Sequence, residues 1–546
     1  MQGNNVIAKI LKAEGVEFIS CFPANTLIDQ AAREGIKPMI CRQERAGVNI
    51  ADGFSRINNG RKIGVFVSQH GPGAENAFSG VAQAYSDSVP ILILPGGPPS
   101  DKSGIPPAFS ASQQYTGITK WSGHVNTVSR IPELMRKAFS QLKSGKPGPV
   151  LLEIPTDIAQ EEFPQKDFSY TPVKPVLSSA SKEDIKELVT AVLKAKNPII
   201  NAGQGILYSE ATDELVEFSE LTNIPVMTTL AGKSAFPENH KLSLGTGAHT
   251  ATIMAAEFLN QSDFMLGLGT SFTSSNFNAP VPQSVTLGQV TNSHEDINKE
   301  YKIDFGAVGD AKLVLQQMNE EVKRQCGDSG RADVGGVVAK IANIKKKWLQ
   351  EWHSSLNSNE VPLSPYRVFT ELSKIVDVSN TIITHDSGYP RDQLVPFWET
   401  LAPRTYIGWG KSTQLGYGLG LAIGAKIARP NMNVINVMGD AAFGMAGLDI
   451  ETAARLEIPI LTIVLNNGVM THYSEHMPYA TDKWQTNALG GDYSGVAKAL
   501  GAYSERVDQP ENISKAIKNA LNANSNGQPA LLEMMTKEEL NVPKYW

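Results

Sequence analysis

Short apolar runs rich in Val and Ile recur along the chain, each followed by a turn and then by a stretch in which apolar residues return every three to four positions. The clearest are IGVFVSQH at 63–70, VPILILPGG at 89–97, PVLLEIP at 149–155 and VINVMGD at 434–440. A run that is apolar on both faces suits a strand buried on both sides, and its alternation with helical periodicity predicts βαβ units around parallel sheets. Two polar, Pro-containing stretches, 165–182 and 354–365, interrupt the alternation and read as interdomain linkers. They predict three α/β domains built on doubly wound parallel sheets, at 1–165, 183–345 and 360–546.

Composition narrows the class without naming it. The 546 residues, 41% hydrophobic and 19% charged, are those of an ordinary multidomain globular protein. A net charge of -6 provides no overall positive field for a nucleic-acid backbone or an anionic membrane. The one basic run, Lys345 to Lys347, reads as a solvated helix face. Cys21, Cys41 and Cys326 give neither a disulfide framework nor a metal-ligand spacing, which points to a reducing, cytoplasmic setting. No leader-like N-terminus and no apolar run of about 20 residues is seen, so a soluble protein is expected.

The most specific chemistry sits near the C-terminus. After VINVMGD comes AAFGMAGLDIETAARLEIP, whose spacing predicts a helix, and then a second strand, ILTIVLNN. In a right-handed crossover both parallel strands deliver their C-terminal ends to one sheet edge, so Asp440 and Asn467 come within reach of one cation. A carboxylate, an amide oxygen and the backbone carbonyl of Val469 are hard oxygen ligands suited to Mg²⁺, which completes its shell with phosphate oxygens and water. The metal therefore implies a diphosphate. Taken singly, Gly-Asp and Asn-Asn are ordinary turn dipeptides. Together, GDAAFGMAGLDIETAARLEIPILTIVLNN resembles the diphosphate and Mg²⁺ motif of thiamine-diphosphate enzymes, in the version found in acetohydroxyacid synthases, with Ala441 where a third-position Gly is usual.

That resemblance extends along the chain. TQLGYGLGLAIGAKIA at 413–428 is similar to the segment that holds the cofactor bent, which makes Leu415 the wedge between its rings and the Thr413 carbonyl the acceptor for its amino group. By the same likeness Gly439, Ala441, Ala442 and Met445 contact the cofactor. In the first domain, CRQERAGVNIADGFSR at 41–56 resembles the element carrying the catalytic glutamate, here Glu44, although Arg42 and Arg45 offer it an ion-pair role instead. A carboxyl group against N1′ of the aminopyrimidine shares a proton with it and so activates the thiazolium. The turn GPGAEN places Gly73 and Asn76 at the pocket, and Gln69 and His70 precede it as candidates for handling substrate protons. The loop Cys21 to Thr26, with Pro23, stands in place of the family's Pro-Gly-Gly.

The middle domain resembles the one that holds FAD in acetohydroxyacid synthases and pyruvate oxidases, or ADP or CoA in oxalyl-CoA decarboxylases. Here Thr270 to Ser274 and Thr291 to His294 lack the acidic residue suited to a ribose, so bound FAD is not expected. After the metal loop, His472, Tyr473 and His476 occupy substrate-pocket positions, where they could protonate an intermediate or bind a carboxylate. The resemblance implies a thiamine-diphosphate- and Mg²⁺-dependent lyase or carboligase acting on a small 2-oxo acid, acetolactate-synthase-like. The alternatives are a non-oxidative 2-oxo acid decarboxylase, a hydroxyacyl-CoA lyase or oxalyl-CoA decarboxylase, and a catalytically inactive cofactor-binding subunit. In this family the first domain of one subunit faces the third of another, implying at least a homodimer and plausibly a homotetramer.

Overall fold

A computed structural model of the chain describes residues 1–164, 168–333 and 335–546. The expected boundary at 165 and the first residues of the 165–182 linker lie outside the described residues. The first sheet contains β1 (Phe18–Cys21), β2 (Lys37–Ile40), β3 (Gly64–Ser68), β4 (Ile91–Gly97), β5 (Trp121–His124) and β6 (Val150–Pro155). The second contains β7 (Pro198–Ala202), β8 (Val226–Thr228), β9 (Ser243–Thr246), β10 (Phe264–Leu268), β11 (Thr286–Thr291) and β12 (Phe305–Val308). The third contains β13 (Thr381–His385), β14 (Tyr406–Ile407), β15 (Asn433–Gly439), β16 (Leu461–Asn466), β17 (Tyr503–Val507) and β18 (Ala530–Met535). Each sheet is six-stranded and its pairings are parallel, as the apolar runs predict.

The first and third sheets share one topology, β2-β1-β3-β4-β6-β5 and β14-β13-β15-β16-β18-β17. The second differs: read from β9, its order β9-β8-β7-β10-β11-β12 is the 3-2-1-4-5-6 arrangement of dinucleotide folds. The segment 354–365 is partly docked and not a free connection. It begins as a short helix, His353–Leu356, and Leu363 is fully buried in a parallel bridge with Thr536. No helix among the described residues is long and apolar enough to cross a membrane.

Five helices set the site: α1 (Glu44–Ile57), α2 (Pro72–Ser86), α3 (Tyr389–Leu394), α4 (Tyr417–Ala428) and α5 (Asp440–Ala446). The single helix expected after Asp440 is broken, with a 3-10 turn at Gly447–Asp449 before a second helical piece, Ile450–Arg455. Tertiary demand explains the break: Asp449 Oδ1 is drawn off to accept the Arg42 N–H at 2.9 Å, across the join with the first unit.

Helices α1 and α4 pack so closely that side chains are excluded at the crossing. A Cβ on Gly53 would stand 2.4 Å from the Leu421 carbonyl oxygen, and one on Gly424 would stand 2.2 Å from that of Ile50. One continuous core therefore joins Ile50, Phe54 and Ile57 of α1 to Leu419, Leu421 and Ile423 of α4 and to the strands beneath. Beside it, Arg56 is 1% exposed, donating to Asp52 at 3.0 Å, to Tyr417 at 2.6 Å, to the Gly408 carbonyl at 2.8 Å and to Asp87 at 3.4 Å. Gly424→Val is expected to force the helices apart and cost about 1–3 kcal/mol or more, read as an earlier urea midpoint. An unchanged midpoint would show that the crossing tolerates a side chain.

Candidate active site

The C-terminal edge of a parallel sheet is where α/β proteins present their ligand-binding loops. At that edge of the third sheet Gly439 pairs with Leu465, so the segments after β15 and β16 leave side by side. Asp440, 4% exposed, accepts the Ala441 N–H at 2.8 Å through Oδ1 and the Gly468 N–H at 2.9 Å through Oδ2. Burial pushes its pKa up, and these backbone N–H groups oppose the shift. Asn467 Oδ1 accepts the Val469 N–H at 3.1 Å, while its Nδ2 donates to Thr471 Oγ1 at 2.7 Å. Oriented this way, the segment offers one carboxylate and one amide oxygen beside the Val469 backbone. Among the described residues no group of three or more His, Cys, Asp or Glu could hold a metal. The hard-oxygen set here is of another kind, one that a cofactor's phosphates would complete.

These residues line a cavity of about 410 Å³. Thr413, Leu415, Gly439, Ala441 and Ala442 share its wall with Asp440, Asn467 and Val469, and His472 and His476 close one side. The two histidine rings are edge to face at 5.0 Å, and His472 sits in the left-handed region at φ 73°. The turn presenting Thr413 and Leu415 is fixed by Asp386, wholly buried after β13, which accepts the Gly416 N–H at 2.9 Å and the Gly418 N–H at 2.8 Å. Burial raises this carboxyl to about 6 despite those bonds.

The residues selected from the first domain gather elsewhere, and none of them lines this cavity. Glu44 opens α1, is 4% exposed and accepts from Asn76 Nδ2 at 3.2 Å. Its carboxylate thus meets Asn76 of α2; Arg42 instead approaches Glu451 at 3.9 Å, and Arg45 donates to the Met445 carbonyl. Gly73 packs against Gln69, at 2.9 Å for an added Cβ, and His70 is exposed at the end of β3. Pro23 lies exposed in the loop after β1, where Asn25 donates to the Ser68 carbonyl at 2.7 Å. Met445 is 52% exposed and, like the residues of the first domain, does not line this cavity. Asp440, Ala442 and Phe443 are the buried residues at the start of α5, and Met445 falls outside that set.

Among the lining residues that escape the sequence reading are Tyr389 and Arg391 on α3, and His249 and Phe277 from the second unit. The first two carry a usable signal, since HDSGYPRDQ follows the apolar run TIITH at the same sheet edge as Asp440. The latter two carry none, because the second unit approaches this edge only through tertiary packing.

Comparison with known proteins gives three family matches, one within each of the three units. Residues 1–120 match the thiamine pyrophosphate enzyme N-terminal TPP binding domain, residues 185–318 its central domain, and residues 386–534 its C-terminal TPP binding domain. A probable acetolactate synthase large subunit of Methanococcus aeolicus is 30% identical across 98% of this chain and 92% of its own length. Its counterpart in Methanocaldococcus jannaschii is 29% identical over the same shares. The large subunit of Escherichia coli acetolactate synthase isozyme 3 is 27% identical over 95% of this chain and 92% of its own.

The raised carboxyl of Asp386 has a consequence for pH. Its folded pKa of about 6 exceeds the unfolded value of about 3.9, so between these values the folded state holds more protons and stability falls as pH rises. The stability advantage of the parent over Asp386→Ala is expected to shrink from pH 4 to pH 6 in paired denaturation series. An advantage that grows over this range would show the carboxylate to be favoured in the fold.

Proposed function

The chain belongs to the thiamine pyrophosphate enzyme family and is a thiamine-diphosphate-dependent enzyme of the lyase or transferase kind; from that premise we propose an acetolactate-synthase-like carboligase that decarboxylates a 2-oxo acid and passes the aldehyde unit to an acceptor. The observation that carries this reading is the convergence of Asp440, Asn467 and Val469 with Thr413 and Leu415 on one cavity. Their chemistry fits Mg²⁺ and a diphosphate: hard oxygens, a single carboxylate, and room for phosphate ligands. Bound there, thiamine diphosphate supplies a carbon nucleophile and an electron sink. The chain's residues bind and orient it. Asp440, Asn467 and the Val469 carbonyl would hold the ion, Leu415 would pack against the rings, and the Thr413 carbonyl would accept from the amino group.

Glu44 would hold a proton at the pyrimidine ring, and in this proposal it comes from a second copy of the chain, because no described residue before His249 lines the cavity. Support for a dimer comes from large apolar side chains left exposed beside the two half-sites: Phe78 and Tyr85 on α2, Met445 on α5 and Leu448 just after it. A second reading, non-oxidative decarboxylation, is favoured by His472 and His476 in the cavity wall, where either ring could deliver a proton. We further propose that the central unit holds no FAD. The cleft at its switch point retains about 90 Å³, the volume of a few waters, with Lys146 bonded to Asp296 at 2.7 Å and Lys411 to Ser271 at 3.1 Å across it.

The test is incubation with thiamine diphosphate, Mg²⁺ and a panel of 2-oxo acids, with and without aldehyde acceptors, following CO₂ and products by mass spectrometry. Ligated 2-hydroxy ketones support the carboligase and free aldehyde the second reading; absence of CO₂ from every acid would overturn both. Glu44→Gln should lose about 10²–10⁴-fold in rate while still binding cofactor, and Asp440→Ala should lose Mg²⁺-dependent cofactor binding. Full turnover in the first variant, or parental affinity in the second, would overturn the assigned roles. The purified protein should show no flavin absorbance.

A further inference from the structure

Beside the cofactor cavity, where the second and third units meet, lies a larger one of about 970 Å³, against about 410 Å³ for the first. The two are contiguous, because His249, Tyr389, His472 and His476 line both. Its size is that of a small-molecule site, about 300–1,000 Å³, but its wall is more polar than such sites usually are. Part of that wall is the loop 270–281, held by the bridge between Ala248 and Asn278 and by the Asn278 amide, which donates to the Thr273 carbonyl at 2.6 Å. Another part is the strap 540–546. It is pinned where the Ala251 N–H donates to the Pro543 carbonyl at 3.0 Å and Trp546 Nε1 donates to that of Ala248 at 3.1 Å. The chain's own bonds thus shape both parts.

Asn276, Asn541 and Lys544 stand exposed in this wall, and Tyr301 is half-buried. Among the described residues, the side-chain amides of Asn276 and Asn541, the Tyr301 hydroxyl and the Lys544 ammonium have no hydrogen-bond or ion-pair partner. No lining residue is Asp or Glu, and Lys544 is the only Lys or Arg. The neighbouring carboxylates of Glu300 and Glu538 accept backbone N–H groups, of Ser274 at 2.6 Å and of His472 at 3.0 Å. His249 adds no second cation, because burial lowers its pKa, with Lys544 and Arg391 adding to the fall and Asp392 opposing it. With Nδ1 against the Asn276 carbonyl at 3.1 Å, the neutral ring keeps Nε2 as an acceptor.

We propose that this second cavity seats the acceptor of the ligation, and that the acceptor is a hydroxylated carbonyl compound carrying one anionic group, of the sugar-acid or sugar-phosphate kind. Amides and hydroxyls both donate and accept, as a row of ligand hydroxyls requires. An apolar acceptor would displace water from these groups without replacing its hydrogen bonds. A diphosphate would call for more than one cation. Lys544, a point charge on a flexible stem, meets the single anionic group. The residues common to both cavities receive the carbonyl end, and the hydroxylated end lies beyond them.

The proposal rests on the carboligase reading for the acceptor's role, and binding alone tests the ligand class. Non-reacting compounds of matched chain length, gluconate, glucitol 6-phosphate, glucitol and hexanoate, are titrated into the protein saturated with thiamine diphosphate and Mg²⁺ and followed by ligand-observed NMR. One of the two hydroxylated anions should bind at least about tenfold more tightly than either glucitol or hexanoate; whichever it is identifies the anionic group. Lys544→Met should bring that anion down to the level of glucitol. Asn276→Leu should weaken glucitol and leave hexanoate unchanged, and both variants should keep thiamine diphosphate affinity near parental. Hexanoate or glucitol binding as tightly as the hydroxylated anions would overturn the assignment, and neither comparison needs a variant to fold. So would a Lys544→Met protein that keeps the full preference for the anion. The expected preference without CO₂ release from any 2-oxo acid would overturn the carboligase reading and leave the ligand class standing. CO₂ release and ligation without the preference would overturn the acceptor assignment alone.

Discussion

The crossing of α1 over α4 is the contact on which the placement of everything else depends. Glycine at 53 and at 424 lets the two backbones approach within side-chain-excluding distance, and apolar neighbours make the join part of one core. Hydrophobic contact alone would permit the helices to slide. Arg56 removes that freedom, because a buried guanidinium and the buried carboxylates of Asp52 and Asp87 are tolerable only when every partner is in place. Asp87 then reaches on to accept the Gly410 and Lys411 N–H groups, so the same network fixes the strand end that precedes Thr413 and Leu415.

Under the proposed function, the two sheets of identical strand order would serve different halves of one chemistry. In each, the useful residues follow the C-terminal ends of parallel strands: Glu44 after β2 and Gln69 after β3 in the first, Asp440 after β15 and Asn467 after β16 in the third. The crossing brings the first turn of α1 against α5, with Arg42 held by Asp449 and Arg45 by the Met445 carbonyl. Glu44 nonetheless faces Asn76 of α2. The intramolecular join is structural, and under the proposed function a carboxyl so turned would serve a cofactor held by a second copy of the chain.

Much of this was readable in the chain. Buried parallel strands leave continuous apolar runs, so β3, β4, β6 and β15 stand out, and the residues at their ends inherit an expected position at the sheet edge. That logic, with the interval between them, places Asp440 and Asn467 at one sheet edge, where both line the cavity. The misses share a cause. Asp449 interrupts a well-patterned helix because it bonds to a residue some four hundred positions away, and Leu363 is buried in a stretch whose composition reads as a linker because Thr536 pairs with it. No local pattern encodes contacts of this kind.

Arg391 is the clearest case of information that lies between segments. Its sequence neighbours say only that a polar turn follows a strand, and an Arg-Asp dipeptide reads as a surface pair. Its character comes from Trp409 and Phe277, one on the strand-end loop of the third sheet and one on a loop of the second unit. Both rings pack against the guanidinium and, edge to face at 4.9 Å, against each other, and Asp392 takes up two of its nitrogens at a single oxygen. The second unit therefore does more than join the outer two. By supplying Phe277 and His249 it makes one wall of the cavity, so the part of the chain with a topology of its own shapes what the cavity accepts, while the two units that share a topology hold what does the chemistry.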